Sequence, residues 1–313
     1  MPATGLHQAR AVPRDLTNLG SPAIFSRVTG APSLGLFALN QHAGQDTLAH
    51  VGAMAEELGY DSLWMGEHVV VPDPRQPPSP MDPLDPILDP LVALAFIAAR
   101  TERILLATGI VILPQRNPLV LAKQLASLDW LSGGRVLFGM GVGYLEPEMT
   151  AVGVPMDRRG TRAVEYLKAM RALWEHERPS FEGEFVRFSG VNAHPRPAQR
   201  PLPVIMAGHS AAAHRRAARH ADGWYGFMLR ENETAGQLEG LRKSLEEAGR
   251  DTSDFEFTVT PRGPMDADRV AAFRELGVNR LVLIPPVGAS VEEVEAFVRE
   301  HAPERLSAAS PRA

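Results

Sequence analysis

From Ser33 onward the chain repeats one unit eight times, a short β-rich apolar run followed by an amphipathic helical stretch, and few folds accept that rhythm. A strand that alternates with a helix is joined to the next strand by a crossover, so the strands run parallel and the helices cover them. Strands are predicted at 34–39, 62–66, 104–113, 135–139, 203–207, 223–227, 255–260 and 280–284. Helices are predicted near 46–58, 90–100, 118–131, 158–174, 211–220, 234–249, 266–276 and 290–301. Eight such units without an internal linker predict an α/β fold closed into a single (β/α)8 TIM barrel over residues 33–313. A two-domain dinucleotide-binding arrangement needs a glycine-rich strand-to-helix turn near the start, and none is present.

Three segments depart from the rhythm. Residues 1–32, with Pro2, Pro13, Pro22 and Pro32, read as an N-terminal extension, a loosely ordered tail rather than a functional arm. The Pro-rich stretch between Pro72 and Pro90 is a loop of a length that usually carries function. Residues 179–200 are aromatic and contain Gly and Pro, which predicts an inserted hairpin or loop over the barrel mouth and a candidate lid.

Composition excludes several classes. The chain has no cysteine, so disulfides, thiolate metal sites and cysteine nucleophiles are ruled out, in keeping with a cytoplasmic enzyme. A net charge of −5 offers no global field for a phosphate backbone, which argues against nucleic acid as a partner. No apolar run approaches the roughly 20 residues of a membrane span, so no membrane association is expected. The N-terminus has no signal-peptide apolar region, so the sequon at Asn232-Glu233-Thr234 carries no weight. No His, Asp or Glu spacing suits a metal.

In a parallel barrel, chemistry sits at the C-terminal ends of the strands. Strand two ends in Glu67 and His68, a carboxylate and an imidazole at the rim. A rim histidine is either a proton shuttle or a side chain bonding a loop carbonyl. Strand three carries Thr108, Gly109 and Ile110, and a glycine inside a buried strand marks a bulge or a close approach. Strand four runs into Gly139, Gly141 and Gly143 and then Tyr144, a GxGxG run that at a rim leaves floor space for a flat ring. Strand five leads through Ala207, Gly208 and His209 to Ser210, which is either an ordinary helix cap or part of a phosphate seat at the helix start. His214, Arg215, Arg216, Arg219 and His220 read as a solvated helix face rather than an anion site.

Several stretches together resemble the luciferase-like monooxygenase superfamily, and in particular its F420-dependent oxidoreductase branch. They are Gly59-Tyr60-Asp61-Ser62-Leu63-Trp64-Met65-Gly66-Glu67-His68, Leu113-Pro114 through Asn117-Pro118 to Gln124, Leu131-Ser132-Gly133-Gly134-Arg135 into the glycine run, and Ala221-Asp222-Gly223-Trp224. The resemblance implies a barrel that lays FMN or the deazaflavin F420 across its strand ends. It implies that His68 manages protons at the ring and that Glu67, Thr108, Gly109, Ile110, Gly141, Gly143, Ala207, Gly208, His209 and Ser210 surround the cofactor; Tyr144, outside the family pattern, is a candidate second donor. It also implies a non-prolyl cis peptide at Gly109-Ile110 and a tail phosphate on Ala207, Gly208 and Ser210.

Two departures refine this. Members acting on sugar phosphates place a glutamate after the glycine run where this chain has Tyr144, and many FMN-using members place an arginine where it has Val142. The expectation is an F420-dependent oxidoreductase that passes a hydride between deazaflavin C5 and a small organic substrate. The alternatives are an FMN-dependent monooxygenase fed by a partner flavin reductase, a non-catalytic flavin-binding protein, and a cofactor-free barrel that binds a phosphorylated metabolite. A homodimer is expected through the helices after strands two and three, with Trp130 and the apolar run 91–99 contributing.

Overall fold

The computed structural model describes residues 31–41 and 45–307, so the expected N-terminal extension lies almost wholly outside the described residues. Among the described residues eleven strands and ten α-helices follow in order. β1 (Ser33–Phe37) leads through α1 (Gln45–Glu57) to β2 (Ser62–Met65), then α2 (Pro90–Ala98) and a third barrel strand split into β3 (Leu105–Thr108) and β4 (Val111–Ile112). α3 (Pro118–Ser132), β5 (Val136–Gly141), the short α4 (Glu146–Ala151) and α5 (Arg159–Glu175) come next. After β6 (Phe181–Glu182) and β7 (Arg187–Phe188) the units resume with β8 (Val204–Ala207), α6 (Ala211–His220), β9 (Gly223–Leu229), α7 (Glu231–Glu247), β10 (Glu256–Pro261), α8 (Ala267–Leu276), β11 (Arg280–Leu283), α9 (Val291–Glu300) and α10 (Pro303–Ser307).

The strands form one ring in the order β3, β2, β1, β11, β10, β9, β8, β5, and pairing of β3 with β5 closes it. Every pair in the ring is parallel. Helix starts follow local chemistry: Asn117 and Asp89 cap α3 and α2 with their side-chain oxygens, and a proline at the first helical position supplies no orphan N–H. Gly133 ends α3 in the left-handed conformation, φ 73°, where a side chain would be strained. Among the described residues no helix is long and apolar enough to cross a membrane.

Apolar packing falls into two layers. The large one lies between strands and helices, with Leu36, Leu63, Leu106, Phe138, Trp224 and Leu281 among its buried members. The small one fills the barrel interior, where Phe37, Trp64, Ala107, Leu137, Ile205, Tyr225 and Val282 pack together and Trp64 stacks on Tyr225 at 5.2 Å. Beneath it Arg280, 1% exposed at its side chain, pairs with Glu256 and at 3.0 Å with Asp61. A charge buried this deeply persists because Glu256 is buried with it and the partly exposed Asp61 pairs with its other side.

Strand three departs from an ideal stave. Ala107 pairs with Leu137 and Val111 with Met140, so strand three advances four residues while β5 advances three, which is one extra residue and a bulge. Gly109 sits in that bulge, as the sequence predicts. Its peptide bond to Ile110 is trans, however, and the cis bonds among the described residues all precede proline. The expected non-prolyl cis bond is therefore corrected. Such a bond costs about 3–4 kcal/mol, and here the extra residue forms the bulge without it.

The inserted segment forms the expected hairpin, β6–β7. Backbone N–H groups of Glu184, Phe185 and Val186 donate to the Glu165 carboxylate on α5, Arg158 pairs with Glu184, and Arg158 and Arg162 lie over the Phe185 ring. These contacts fasten the hairpin to the flank of α5. The long loop over 66–89 leaves the barrel mouth directly from β2.

A methyl group on Gly139 would lie 1.9 Å from the Thr108 carbonyl oxygen, whereas one on Gly236 in α7 meets nothing within 4 Å. Gly139→Ala is expected to destabilise the protein by about 3 kcal/mol or more, and Gly236→Ala to stabilise it by about 0.5–1 kcal/mol. Urea denaturation of both variants checks this.

Candidate active site

The mouth of the barrel collects residues from four consecutive staves. In the ring β2 neighbours β3, β3 neighbours β5 and β5 neighbours β8, so His68, Gly109 with Ile110, the glycine run with Tyr144, and Ala207 to Ser210 occupy one continuous arc of the rim. Ile110, Ala207 and Ile284 are partly buried on top of the inner cluster and give the mouth an apolar floor beside Phe37. Phe227, 39% exposed, packs against Phe37 at 5.2 Å.

His68 lies within a hydrogen-bonded chain. Its Nδ1 is 2.8 Å from Oε2 of Glu148, whose other oxygen accepts the Val69 N–H at 2.7 Å. The Glu148 side chain is fully buried. A carboxylate oxygen only accepts, so Nδ1 carries a hydrogen, and in the neutral imidazole Nε2 presents a lone pair. On that side the Tyr144 hydroxyl stands 3.4 Å away, and the two rings meet edge to face. Burial and the Glu148 charge both push the Tyr144 phenol up, so it stays protonated and able to donate.

Glu148 is the residue that sequence reading missed. The expected glutamate position after the glycine run holds Tyr144, but α4 starts two residues later and brings a carboxylate back beneath His68. The acidic Glu146-Pro147-Glu148 start of α4 was the available signal, since such residues favour a helix N-terminus.

Other expected contacts take different roles. Glu67 is buried, and its carboxylate accepts the Ile112 N–H at 2.6 Å and pairs with Arg116, which also holds Asp89. Through Arg116 it ties both ends of the 66–89 loop to the rim, the role that these contacts give it. Thr108 is fully buried and donates to the Gly139 carbonyl at 2.6 Å, so its hydroxyl fastens the bulge and does not face the mouth. Gly141 and Gly143 leave no open floor: methyl groups there would meet Ile110 Cγ2 at 2.9 Å and Ile112 Cγ2 at 2.8 Å. Their smallness accommodates strand three.

The turn after β8 keeps its expected character. Ser210 caps α6 by accepting from Ala213 N at 3.2 Å, and the first N–H groups of a helix so capped point outward with the positive end of its dipole. Gly208, φ 131°, has its carbonyl held by Trp224 Nε1, and His209 Nε2 accepts the Phe227 N–H at 3.2 Å. Burial and the neighbouring His214 hold the His209 imidazole below its usual range, which keeps that nitrogen an acceptor.

These groups fit a planar heterocycle that carries a phosphate: an apolar floor, a proton-handling imidazole at one edge and a helix start at the other. Among the described residues no group of His, Asp or Glu is arranged to hold a metal. For His68, ¹⁵N NMR is expected to show the Nδ1–H tautomer in the protein as it stands and loss of that preference in Glu148→Ala; an unchanged tautomer contradicts the assignment.

The model of the luciferase-like monooxygenase family matches residues 33–309. An uncharacterised protein of Mycobacterium tuberculosis is 35% identical over 271 residues, 84% of this chain and 93% of its own length. An F420-dependent glucose-6-phosphate dehydrogenase of Kineococcus radiotolerans is 33% identical over 248 residues, 76% of this chain and 70% of its own. The crystal structure of the monooxygenase RslO1 from Streptomyces bottropensis superimposes with a TM-score of 0.72 at 24% identity, covering 88% of this chain and 98% of that one. The chain belongs to the luciferase-like monooxygenase family and is an oxidoreductase built on its barrel.

Proposed function

We propose that this protein is an F420-dependent oxidoreductase that moves a hydride between the deazaflavin and a small organic substrate bearing a carbonyl or hydroxyl group. The observation that carries the reading is the chain from buried Glu148 through His68 to Tyr144, which presents a proton-handling nitrogen at the edge of an apolar floor. When bound, the deazaflavin supplies and accepts the hydride at C5. Ile110 and Ala207 support the ring, and the start of α6 with Ser210 seats the phosphate. His68 Nε2 delivers or removes the proton on the substrate oxygen as carbonyl and hydroxyl interconvert, Glu148 keeps the imidazole in the tautomer that does so, and Tyr144 is a second donor. Val69 and Val70, exposed where the 66–89 loop leaves the rim, wall the substrate space and help exclude water.

The relative whose name specifies F420 supports the deazaflavin. The second reading is an FMN-dependent monooxygenase, with a flavin reductase as partner. Fluorescence titration with F420 and with FMN separates them: F420 is expected to bind in the low-micromolar range, FMN at least tenfold more weakly. The reverse order overturns the cofactor assignment. His68→Ala is expected to leave cofactor affinity within a few-fold and to lower turnover by about two orders of magnitude.

The same reading includes a cytoplasmic setting and a homodimer. α3 is apolar on its inner face and carries Val120, Trp130 and Leu131 outward, with Leu131 78% exposed, next to Val92 on α2. A helix apolar on both sides buries its second face against a partner. Sedimentation is expected to give twice the chain mass, and Val120→Glu with Leu131→Glu to give monomers.

A further inference from the structure

The expected cofactor contacts lie on the arc of the rim from β2 to β8, and the arc from β9 through β10 and β11 to β1 faces them across the mouth. β9 is the fourth strand on from β2 in a ring of eight, so its end stands directly opposite His68. That end is irregular. Val259 pairs with Gly226 and Pro261 with Leu229, so β9 advances three residues while β10 advances two, a second bulge in the barrel.

The bulge presents Phe227. Its N–H donates to His209 Nε2 at 3.2 Å, and the next carbonyl, that of Met228, accepts from Arg262 Nε at 3.1 Å. Met228 is left-handed, φ 56°, and so is Ala38, φ 62°, the residue after Phe37. Among the described residues the one other non-glycine residue with a positive φ is Arg158, at the start of α5. A side chain is strained in that conformation, and such strain gathers where the backbone must aim a particular group. Here it follows each of two phenylalanines whose rings meet at 5.2 Å.

The pair tops an aromatic column. Both rings lie against Tyr225, at 6.5 and 6.2 Å, and Tyr225 stacks on Trp64. Phe37 is 6% exposed and Phe227 39%, so Phe227 is the ring of this column that is open to the mouth. The far tip of the Phe37 ring reaches Gly66, where a methyl group would lie 3.1 Å from Cζ, and His68 is two residues on. Aromatic surface therefore runs across the mouth from the strand that carries His68 to Phe227.

Charge is held away from this space. Arg262 is folded onto the Met228 carbonyl, Arg230 lies 3.9 Å from Glu233, and the ends of β11 and β1 offer Ile284, Pro285, Ala38 and Leu39. The cations of α6 are elsewhere: Arg215, Arg216 and Arg219 line a cavity of about 630 Å³ between α5 and α6, which corrects the expectation of a solvated helix face. His214 of the same helix is buried, with Nε2 against Gln237.

We propose that Phe227 is the specificity-determining wall of the substrate site and that the substrate is an aryl alcohol or aryl ketone, its oxygen at His68 and its ring on Phe227. A paired aromatic ring gains attraction beyond its buried area, which a saturated ring of the same size lacks. Held at two opposite points, the substrate has its reacting carbon fixed between them. The proposal rests on the deazaflavin reading, and the reaction is the one set out above, alcohol to ketone with the hydride going to the deazaflavin and the proton to His68.

The test titrates 4-fluoroacetophenone, followed by its ¹⁹F resonance, against the protein with and without F420, and displaces it with acetophenone or with cyclohexyl methyl ketone. Acetophenone is expected to bind about fivefold or more tightly than the saturated ketone. Phe227→Leu is expected to abolish that preference and Phe227→Tyr to keep it. With F420, the kcat/KM ratio of 1-phenylethanol over 1-cyclohexylethanol is expected to follow the same order. An unchanged melting temperature shows that the variants are folded, and the comparison of ketones on the unaltered protein needs no variant. Equal binding of the two ketones, a preference that survives in Phe227→Leu, or no binding of either ketone overturns the proposal, while F420 binding in the same samples upholds the deazaflavin reading. If F420 does not bind, the deazaflavin reading fails and the protein alone decides: a preference lost in Phe227→Leu upholds the aromatic subsite, and absence of ketone binding overturns it.

Discussion

The structure depends on one close approach of backbone to backbone, the Thr108 carbonyl against the bare Cα of Gly139. The ring closes where β3 meets β5, and strand three reaches that closure with one residue more than its neighbour. Only a residue without a side chain on β5 leaves room for the extra length. The bulge brings Gly109 over Phe37 and Trp64 and sets Ile110 at the top of the inner cluster. It also explains the glycine run as a whole, since Gly141 and Gly143 receive the isoleucines that follow. The floor of the mouth is a consequence of how the barrel closes.

Two buried ionic groups then divide the barrel into a structural end and a working end. At the base Arg280 joins β11 to β10 and to the start of β2, and the cost of burying it is offset by Asp61 and Glu256. At the rim Glu67 and Arg116 fasten both ends of the long loop, so the next residue, His68, leaves a fixed point of the backbone. Glu148 takes hold of its imidazole from the opposite side of strand three. A catalytic imidazole needs this kind of support, because its useful tautomer is set by the hydrogen bond its other nitrogen makes. The rim therefore combines a rigid anchor with a hydrogen-bonded chain from Glu148 through His68 to Tyr144.

Much of this was legible in the sequence. All eight barrel strands lie within a few residues of their predicted positions, because each stave is a short apolar run bounded by turn residues. The rim position of His68 followed from the end of strand two, and Gly109 and Ser210 were marked as a bulge or close approach and as a cap or phosphate seat. What escaped depends on neighbours distant in the chain. Glu67 looks like a free rim carboxylate until Arg116, 49 residues on, reaches it. The glycine run looks like space for a ligand until strand three fills it. Glu148 serves His68 only because α4 starts directly behind the glycine run, and the arginines of α6 line a cavity only because α5 stands opposite them. The hairpin over 181–188 was foreseen as an element but not in its place, since its hold on Glu165 uses backbone N–H groups that no side-chain pattern records.

The central claim is that four neighbouring staves of the rim converge on one planar cofactor. A crystal structure of the protein with F420 tests it most directly. The account requires the ring to lie on Ile110 and Ala207 with its reactive edge beside His68 and its phosphate at the start of α6. A ring bound elsewhere, or one seated in the mouth with His68 turned away from it, would contradict the account.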